Sequence, residues 1–254
     1  MKAMVLAAGL GTRLRPLTND IPKCLMPLAG RPLIDWTLRW IRHGGVEECV
    51  INLHYLPEKV KTFVGNGQQY DLNVHYSYEP ELLGTAGAVK KVAAFFDEPF
   101  YVIYSDNFSL WELRKLKQFY DTVSSVNNNI GTEVAAVIAV HWREDVTSSG
   151  MVEISEDNQV INYMEKPKKE DVTSNYVNAG FYYLNPKILD YIADNRFFDF
   201  SYHVFPAIIK NGEKLYAVKM DMPIIGIDTL DAYNSADKLA EQYKVKSKET
   251  GLGL

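Results

Sequence analysis

Apolar positions along the chain fall into short runs separated by segments with a helical period, most regularly in the first half. Ala3–Ala8, Glu48–His54, Asn73–Ser77 and Phe100–Tyr104 read as strands. Between and after them, Leu33–His43, Pro57–Val64, Thr85–Phe96 and Leu110–Tyr120 carry the three-to-four-residue spacing of helices. Strands alternating with helices predict βαβ units: an α/β fold with a mixed, mostly parallel central sheet covered by helices. Ligands of such sheets bind beyond the carboxyl ends of the strands, so the loops after Ala8 and after Tyr104 are expected on one rim.

The second half is richer in strands. Val134–Val140, Met151–Ser155, Val160–Met164 and Tyr176–Leu184 are separated by turn residues, with Ser155–Gln159 as a hairpin turn. A helix is expected at Tyr202–Lys210, then strands at Leu215–Met220 and Ile224–Ile227. A last helix, Thr229–Tyr243, would have Asp228 as its N-cap. Ser124–Gly131 reads as a polar loop, and residues 247–254 as a flexible tail.

The 254 residues, 47% of them hydrophobic, suffice for one large α/β domain, expected over residues 1–246. A formal net charge of −5 argues against a nucleic-acid binder, which needs a basic face. The charge is uneven, however. Up to Val46 there are seven basic residues, Lys2, Arg13, Arg15, Lys23, Arg31, Arg39 and Arg42, against Asp20 and Asp35, a net +5. A local positive field of this kind suits a small anion. Two cysteines, Cys24 and Cys49, make no disulfide framework, and five scattered histidines suggest no zinc site. The N-terminus runs straight into a strand, leaving no room for a signal peptide, and the longest apolar run is too short to span a bilayer. A cytoplasmic protein with no membrane partner is expected.

The chemistry concentrates after the first strand, in Gly9-Leu10-Gly11-Thr12-Arg13, with Arg15 and Lys23 close behind. Glycines there let backbone N–H groups approach an anion, and the cations suit phosphates. The loop lacks the Gly-Lys-Ser/Thr ending of a P-loop, and Leu14 stands where a dinucleotide fingerprint has its third glycine or alanine. The whole stretch, LAAGLGTRLRPLT followed by PKCLMPLAGRPLIDW, resembles the signature of the sugar-1-phosphate nucleotidyltransferases, the nucleoside-diphosphate-sugar pyrophosphorylases. Gly9, Gly11, Thr12, Arg13, Pro22 and Lys23 carry that pattern. The similarity continues through ELLGTAGAV, YSDN, MEKP, NAGFYYL and GIDT.

The resemblance implies a Rossmann-like nucleotide-diphospho-sugar transferase fold, with a nucleotide-binding half at about residues 1–125 and a sugar-binding half at about 126–246. It implies that a sugar-1-phosphate oxygen attacks the α-phosphorus of a nucleoside triphosphate, so catalysis would be mainly positioning and electrostatics. By the same resemblance Arg13 holds the leaving pyrophosphate, Lys23 bridges the attacking and α-phosphates, and Asp106 with Asp228 holds Mg²⁺. Leu6, Ala8, Gly9, Gly11, Thr12, Gly84 and Thr85 would line the nucleotide, the last two by presenting a helix N-terminus. Glu79 or Glu81 would read the base, and a carboxylate there leans toward guanine. Glu165, Lys166, Asn178, Gly180 and Gly150 would hold the sugar phosphate.

Two departures from the family pattern stand beside the aspartates: Ser105 replaces the usual glycine before Asp106, and Ile227 a frequent aromatic before Asp228. Cys24, next to Lys23, is expected to be buried and inert, although that neighbour would lower its pKa. Tyr182, Tyr183 and Phe181 read as core or rim. The first substrate pair is GTP with mannose-1-phosphate or a related manno-sugar. The alternatives are a UTP- or dTTP-dependent relative, a phosphocholine cytidylyltransferase and a non-catalytic nucleotide-sugar-binding regulatory subunit; homo-oligomer formation is left open.

Overall fold

The structure, a computed structural model, describes residues 1–129 and 131–250. By its internal contacts the chain divides into two interleaved units. The first takes Met1–Glu81, Tyr104–Leu110 and the chain from Pro223 onward; the second takes Leu82–Ile103 and Trp111–Met222. This differs from the consecutive halves expected to meet near residue 125. The physical reason is an apolar cluster in which Phe108, Ile227, Ala236 and Ala240 pack with Leu14, Met26, Leu28, Leu33 and Trp36. Burying those side chains draws two later segments back to the N-terminal one.

In the first unit the strand Lys2–Leu6 runs parallel to Glu48–Leu53, which runs parallel to Asn73–Tyr78. The helix Leu33–His43 forms where its period predicted, burying Ile34, Trp36, Leu38, Trp40 and Ile41. Two short strands, Asn107–Ser109 and Ile224–Gly226, pair antiparallel with Asn107 opposite Gly226. The last helix, Leu230–Thr250, is longer than expected and takes in the start of the expected tail; residues 251–254 lie outside the described residues. Its N-terminal cap is Thr229, whose Oγ1 accepts from the Ala232 N–H at 3.2 Å. The expected cap, Asp228, points elsewhere.

In the second unit the strand Tyr176–Leu184 lies antiparallel to both Phe100–Tyr104 and Val134–Trp142. Val134–Trp142 runs parallel to Lys214–Lys219, and Gly150–Ile154 forms the expected hairpin with Val160–Glu165. The helix Arg114–Asn128 runs through the stretch read as a polar loop from Ser124. Asn127 is tolerated there because it is buried with partners, donating to Val123 O at 2.7 Å and Tyr216 Oη at 3.0 Å. The segment expected as the helix Tyr202–Lys210 opens with a π-turn, Phe200–Val204, before a short α-helix, Phe205–Lys210. Asp199 sets that entry by accepting from the Ser201 N–H at 2.8 Å. The pairings give the mixed α/β fold that the alternation predicted. No helix among the described residues is long and apolar enough to cross a membrane.

Candidate active site

The first unit gathers four charged side chains from three distant segments. Lys23, only 7% exposed, places its Nζ 2.6 Å from Asp106 Oδ2 and 2.8 Å from Asp228 Oδ1. Arg13 Nη2 reaches the same Asp228 oxygen at 2.8 Å. Main-chain bonds explain the convergence. The Ser105 N–H donates to Leu6 O at 3.1 Å, so the loop with Asp106 begins beside the end of the first strand, on the rim expected. The Ile227 N–H donates to Asp106 O at 2.9 Å, and this bond with the short ladder preceding it brings Asp228 alongside Asp106.

The two departures from the family pattern fit this arrangement. Ser105 is buried, and its Oγ adds a second bond to Leu6 O at 2.7 Å, so the hydroxyl tightens the loop. Ile227 is fully buried in the apolar cluster, anchoring the residue before Asp228. Leu14 lies in the same cluster. Gly11 is left-handed at φ 63°, and a Cβ there would meet Thr18 Cγ2 at 3.0 Å and Lys23 Cβ at 3.2 Å. Thr18 closes the turn by donating to Gly11 O at 2.7 Å. The glycine therefore lets the loop fold back onto the Lys23 segment.

The electrostatics follow from burial and pairing. Burial by itself would lower the pKa of Lys23, but the Asp106 and Asp228 carboxylates outweigh it and hold the pKa above the ordinary lysine value. Burial would raise Asp228, yet Lys23 and Arg13 together hold its carboxyl below the usual range. Cys24 is 3% exposed, and burial pushes its thiol up to about 12. The lowering expected from Lys23 is not found, because burial dominates; the thiol is buried, as expected. Asp106 and Asp228 suit Mg²⁺, which takes one or two carboxylates plus substrate phosphates, and their shared hold on one ammonium shows that both can face a single cation.

Of the two base-reading candidates, Glu81 is exposed and Glu79 is 1% exposed. Glu79 Oε1 accepts from Asn52 Nδ2 at 2.8 Å, so the fold holds its carboxylate in place. Asn52 had no place in the sequence reading. Its one signal there is a lone amide in an otherwise apolar run within the strand Glu48–Leu53.

Gly84 and Thr85 belong to the second unit, where much of their hydrogen bonding is internal. The N–H groups of Ala86 and Gly87 both donate to Phe198 O at 3.0 Å, and Thr85 Oγ1 donates to Asp199 Oδ2 at 2.8 Å. Gly84 has φ 73°, and a Cβ would lie 2.5 Å from Phe198 O. At the helix start expected to face a nucleotide, the N–H groups of Ala86 and Gly87 are thus taken by the chain itself.

The sugar-side residues cluster in the same unit. Gly150 is a steric necessity, since a Cβ would stand 2.1 Å from Tyr163 Oη and 2.7 Å from Glu165 Oε2. Tyr163 Oη lies 2.8 Å from Ser201 Oγ, both side chains buried. Burial, and then the Asp199 carboxylate, raises the pKa of Glu165 above its ordinary value. Lys166, left-handed at φ 49°, is exposed, and its N–H donates to Ser149 O at 3.0 Å. Asn178 Nδ2 donates to Tyr182 Oη at 2.7 Å and its Oδ1 accepts from the Gly180 N–H at 3.0 Å, which braces the irregular stretch of that strand. Phe181, Tyr182 and Tyr183 are core, as expected. Tyr163, Asp199 and Ser201 joined this cluster without any sequence motif to mark them.

Comparisons with known proteins bear on both units. A family model for nucleotidyl transferases matches residues 2–236. A UTP–glucose-1-phosphate uridylyltransferase of Synechocystis sp. is 30% identical over 92% of this chain and 61% of its own length. A mannose-1-phosphate guanyltransferase of Candida glabrata is 30% identical over 87% of this chain and 59% of its own. The chain thus spans about three-fifths of the length of these curated relatives. Among solved structures, a putative glucose-1-phosphate thymidylyltransferase from Bacillus anthracis superposes with a TM-score of 0.79 at 22% identity over 95% of each chain, a likeness of fold.

Proposed function

We propose a reaction for a chain that belongs to the nucleotidyl transferase family: transfer of a nucleoside monophosphate from a nucleoside triphosphate to a sugar-1-phosphate. An oxygen of the acceptor phosphate forms a bond to the α-phosphorus, the α–β bridging P–O bond breaks, and its electron pair leaves with pyrophosphate. The observation that carries this reading is the cluster of Arg13, Lys23, Asp106 and Asp228 beside the glycine loop.

Arg13, largely exposed and forked, holds the leaving pyrophosphate; Lys23, a compact point charge, offsets charge on the α-phosphate and the attacking phosphate. Leu6, Ala8, Gly9, Gly11 and Thr12 shape the nucleotide side. Asp106 and Asp228 would hold Mg²⁺, which when bound neutralises triphosphate oxygens. Glu165 accepts from sugar hydroxyls, Lys166 neutralises the sugar phosphate, and Gly150, Asn178 and Gly180 complete the sugar pocket.

The first substrate pair is GTP with mannose-1-phosphate or a related manno-sugar, supported by the guanyltransferase relative. UTP with glucose-1-phosphate is the second reading, favoured by the uridylyltransferase relative. The test is pyrophosphate release across four nucleotides and several sugar-1-phosphates, with D106A and K23A as controls. Release by the wild type alone is expected. A wild type as silent as both variants across the whole panel would favour a non-catalytic nucleotide-sugar-binding subunit instead.

A further inference from the structure

We infer that Tyr163 and Ser201 form a directed hydrogen-bond relay from Asn178 to Glu165, and that both are positioning residues for the sugar side. This rests on the reading of Glu165 as an acceptor for sugar hydroxyls. Tyr163 and Glu165 lie two positions apart on the strand Val160–Glu165 and so share a face. Both press on one point, since a Cβ at Gly150 would meet Tyr163 Oη at 2.1 Å and Glu165 Oε2 at 2.7 Å. Ser201 Oγ lies 2.8 Å from Tyr163 Oη and also hydrogen-bonds the Glu165 side chain, while the Asn178 side chain hydrogen-bonds Tyr163. Tyr163 and Ser201 are 5% and 8% exposed, so bulk water does not replace either hydroxyl.

The groups at the two ends fix the direction of the relay. A backbone N–H can only donate, so the Gly180 N–H makes Asn178 Oδ1 an acceptor and leaves Nδ2 to donate to Tyr163 Oη. At the other end an ionised carboxylate can only accept, so Ser201 donates to Glu165 and accepts from Tyr163. Ser201 is itself held in place. Asp199 Oδ1 accepts from its N–H at 2.8 Å, and Asp199 Oδ2 accepts from Thr85 Oγ1 at 2.8 Å. With one carboxylate oxygen engaged by Ser201, the plane of Glu165 is set, and with it the place where a sugar hydroxyl can donate.

Removing the links one at a time tests the relay. S201A deletes the donor to Glu165, Y163F deletes the donor to Ser201, and S201T keeps a hydroxyl. KM values are read from pyrophosphate release for GTP with mannose-1-phosphate and for UTP with glucose-1-phosphate. Melting of each full-length variant is followed in parallel.

S201A is expected to raise the sugar-phosphate KM about tenfold and to leave the nucleotide KM within about twofold. Y163F should raise the sugar-phosphate KM about threefold, and S201T should stay within about threefold of wild type. Y163F/S201A should be no worse than S201A, because one relay breaks only once, whereas independent effects would multiply to about thirtyfold. An unmoved sugar-phosphate KM in S201A, equal shifts in both KM values, or a multiplicative double variant would overturn the assignment. If S201A does not fold, the split between the two KM values in Y163F decides alone. A wild type silent with both pairs sinks both substrate readings and this inference with them, whereas an active wild type with an unmoved S201A sinks only the relay.

Discussion

Lys23 and Asp106, 83 positions apart in the chain, meet through a hydrogen bond of 2.6 Å from Nζ to Oδ2. The lysine is nearly buried, so its charge is weakly screened by water and its loss leaves two carboxylates without their shared cation. K23A is therefore expected to lower turnover by about 100-fold or more, in the range seen when a preorganised charge-stabilising group is removed. Pyrophosphate release at saturating substrates measures it. A loss of less than threefold would remove Lys23 from the catalytic role.

The same cluster gives a signed pH dependence. The Asp228 carboxyl is held below the ordinary value by Lys23 and Arg13 against the effect of burial, so the fold favours its ionised form. Its stabilising contribution is complete above its unfolded pKa of about 3.9 and fades as pH falls through the lower folded value. Urea midpoints of wild type and D228N should differ at pH 7 and converge in that acid window. A gap that widens as pH falls would contradict the ion-pair account.

Gly150 has no room for a side chain beside Tyr163 and Glu165. G150A is expected to cost about 1–3 kcal/mol by overpacking, read as a lower unfolding midpoint. In steady-state kinetics the sugar-phosphate KM should rise while the nucleotide KM stays within about twofold. Equal shifts in both would deny Gly150 its sugar-side role.

Both cysteines are buried, and burial raises each thiol to about 12. With the thiolate so scarce at pH 8, iodoacetamide should leave Cys24 and Cys49 unmodified in the folded protein and label both in urea. Mass spectrometry of intact protein reports the count. Fast labelling of native Cys24 would show that its side chain opens to solvent.

Capping gives a simpler test. Thr229, and not Asp228, accepts from the Ala232 N–H. T229A should therefore lower stability by about 1 kcal/mol, with nucleotide affinity retained. Circular dichroism melting and calorimetry separate the two effects.

Much of the molecule was legible in the chain because its strands and helices carry their own period. The helices at Leu33–His43 and Pro57–Val64 and the strand Tyr176–Leu184 lie where the apolar spacing placed them. Gly11, Arg13 and Lys23 were legible too, as a contiguous motif whose residue types already imply an anion. What local pattern could not supply was the accounting of buried polar groups. Helix Arg114–Asn128 continues through a polar stretch because Tyr216, 89 positions away, partners Asn127. The bond between Glu79 and Asn52 has no mark in the sequence, because nothing near either residue in the chain names the other. Thr229 and Asp228 are adjacent and both able to cap, and the choice fell to Lys23, more than 200 positions away.

By itself, then, the order of residues determined most of the strands and helices and which charges could meet a phosphate, since periodicity and residue type act over a few positions. Tertiary structure alone decided which oxygen each buried donor faces. It set Lys23 between Asp106 and Asp228, closed the Gly84 turn on Phe198, and turned Glu79 inward to Asn52. A buried polar group must find its partner wherever the fold brings one, and that partner's distance along the chain carries no local signal.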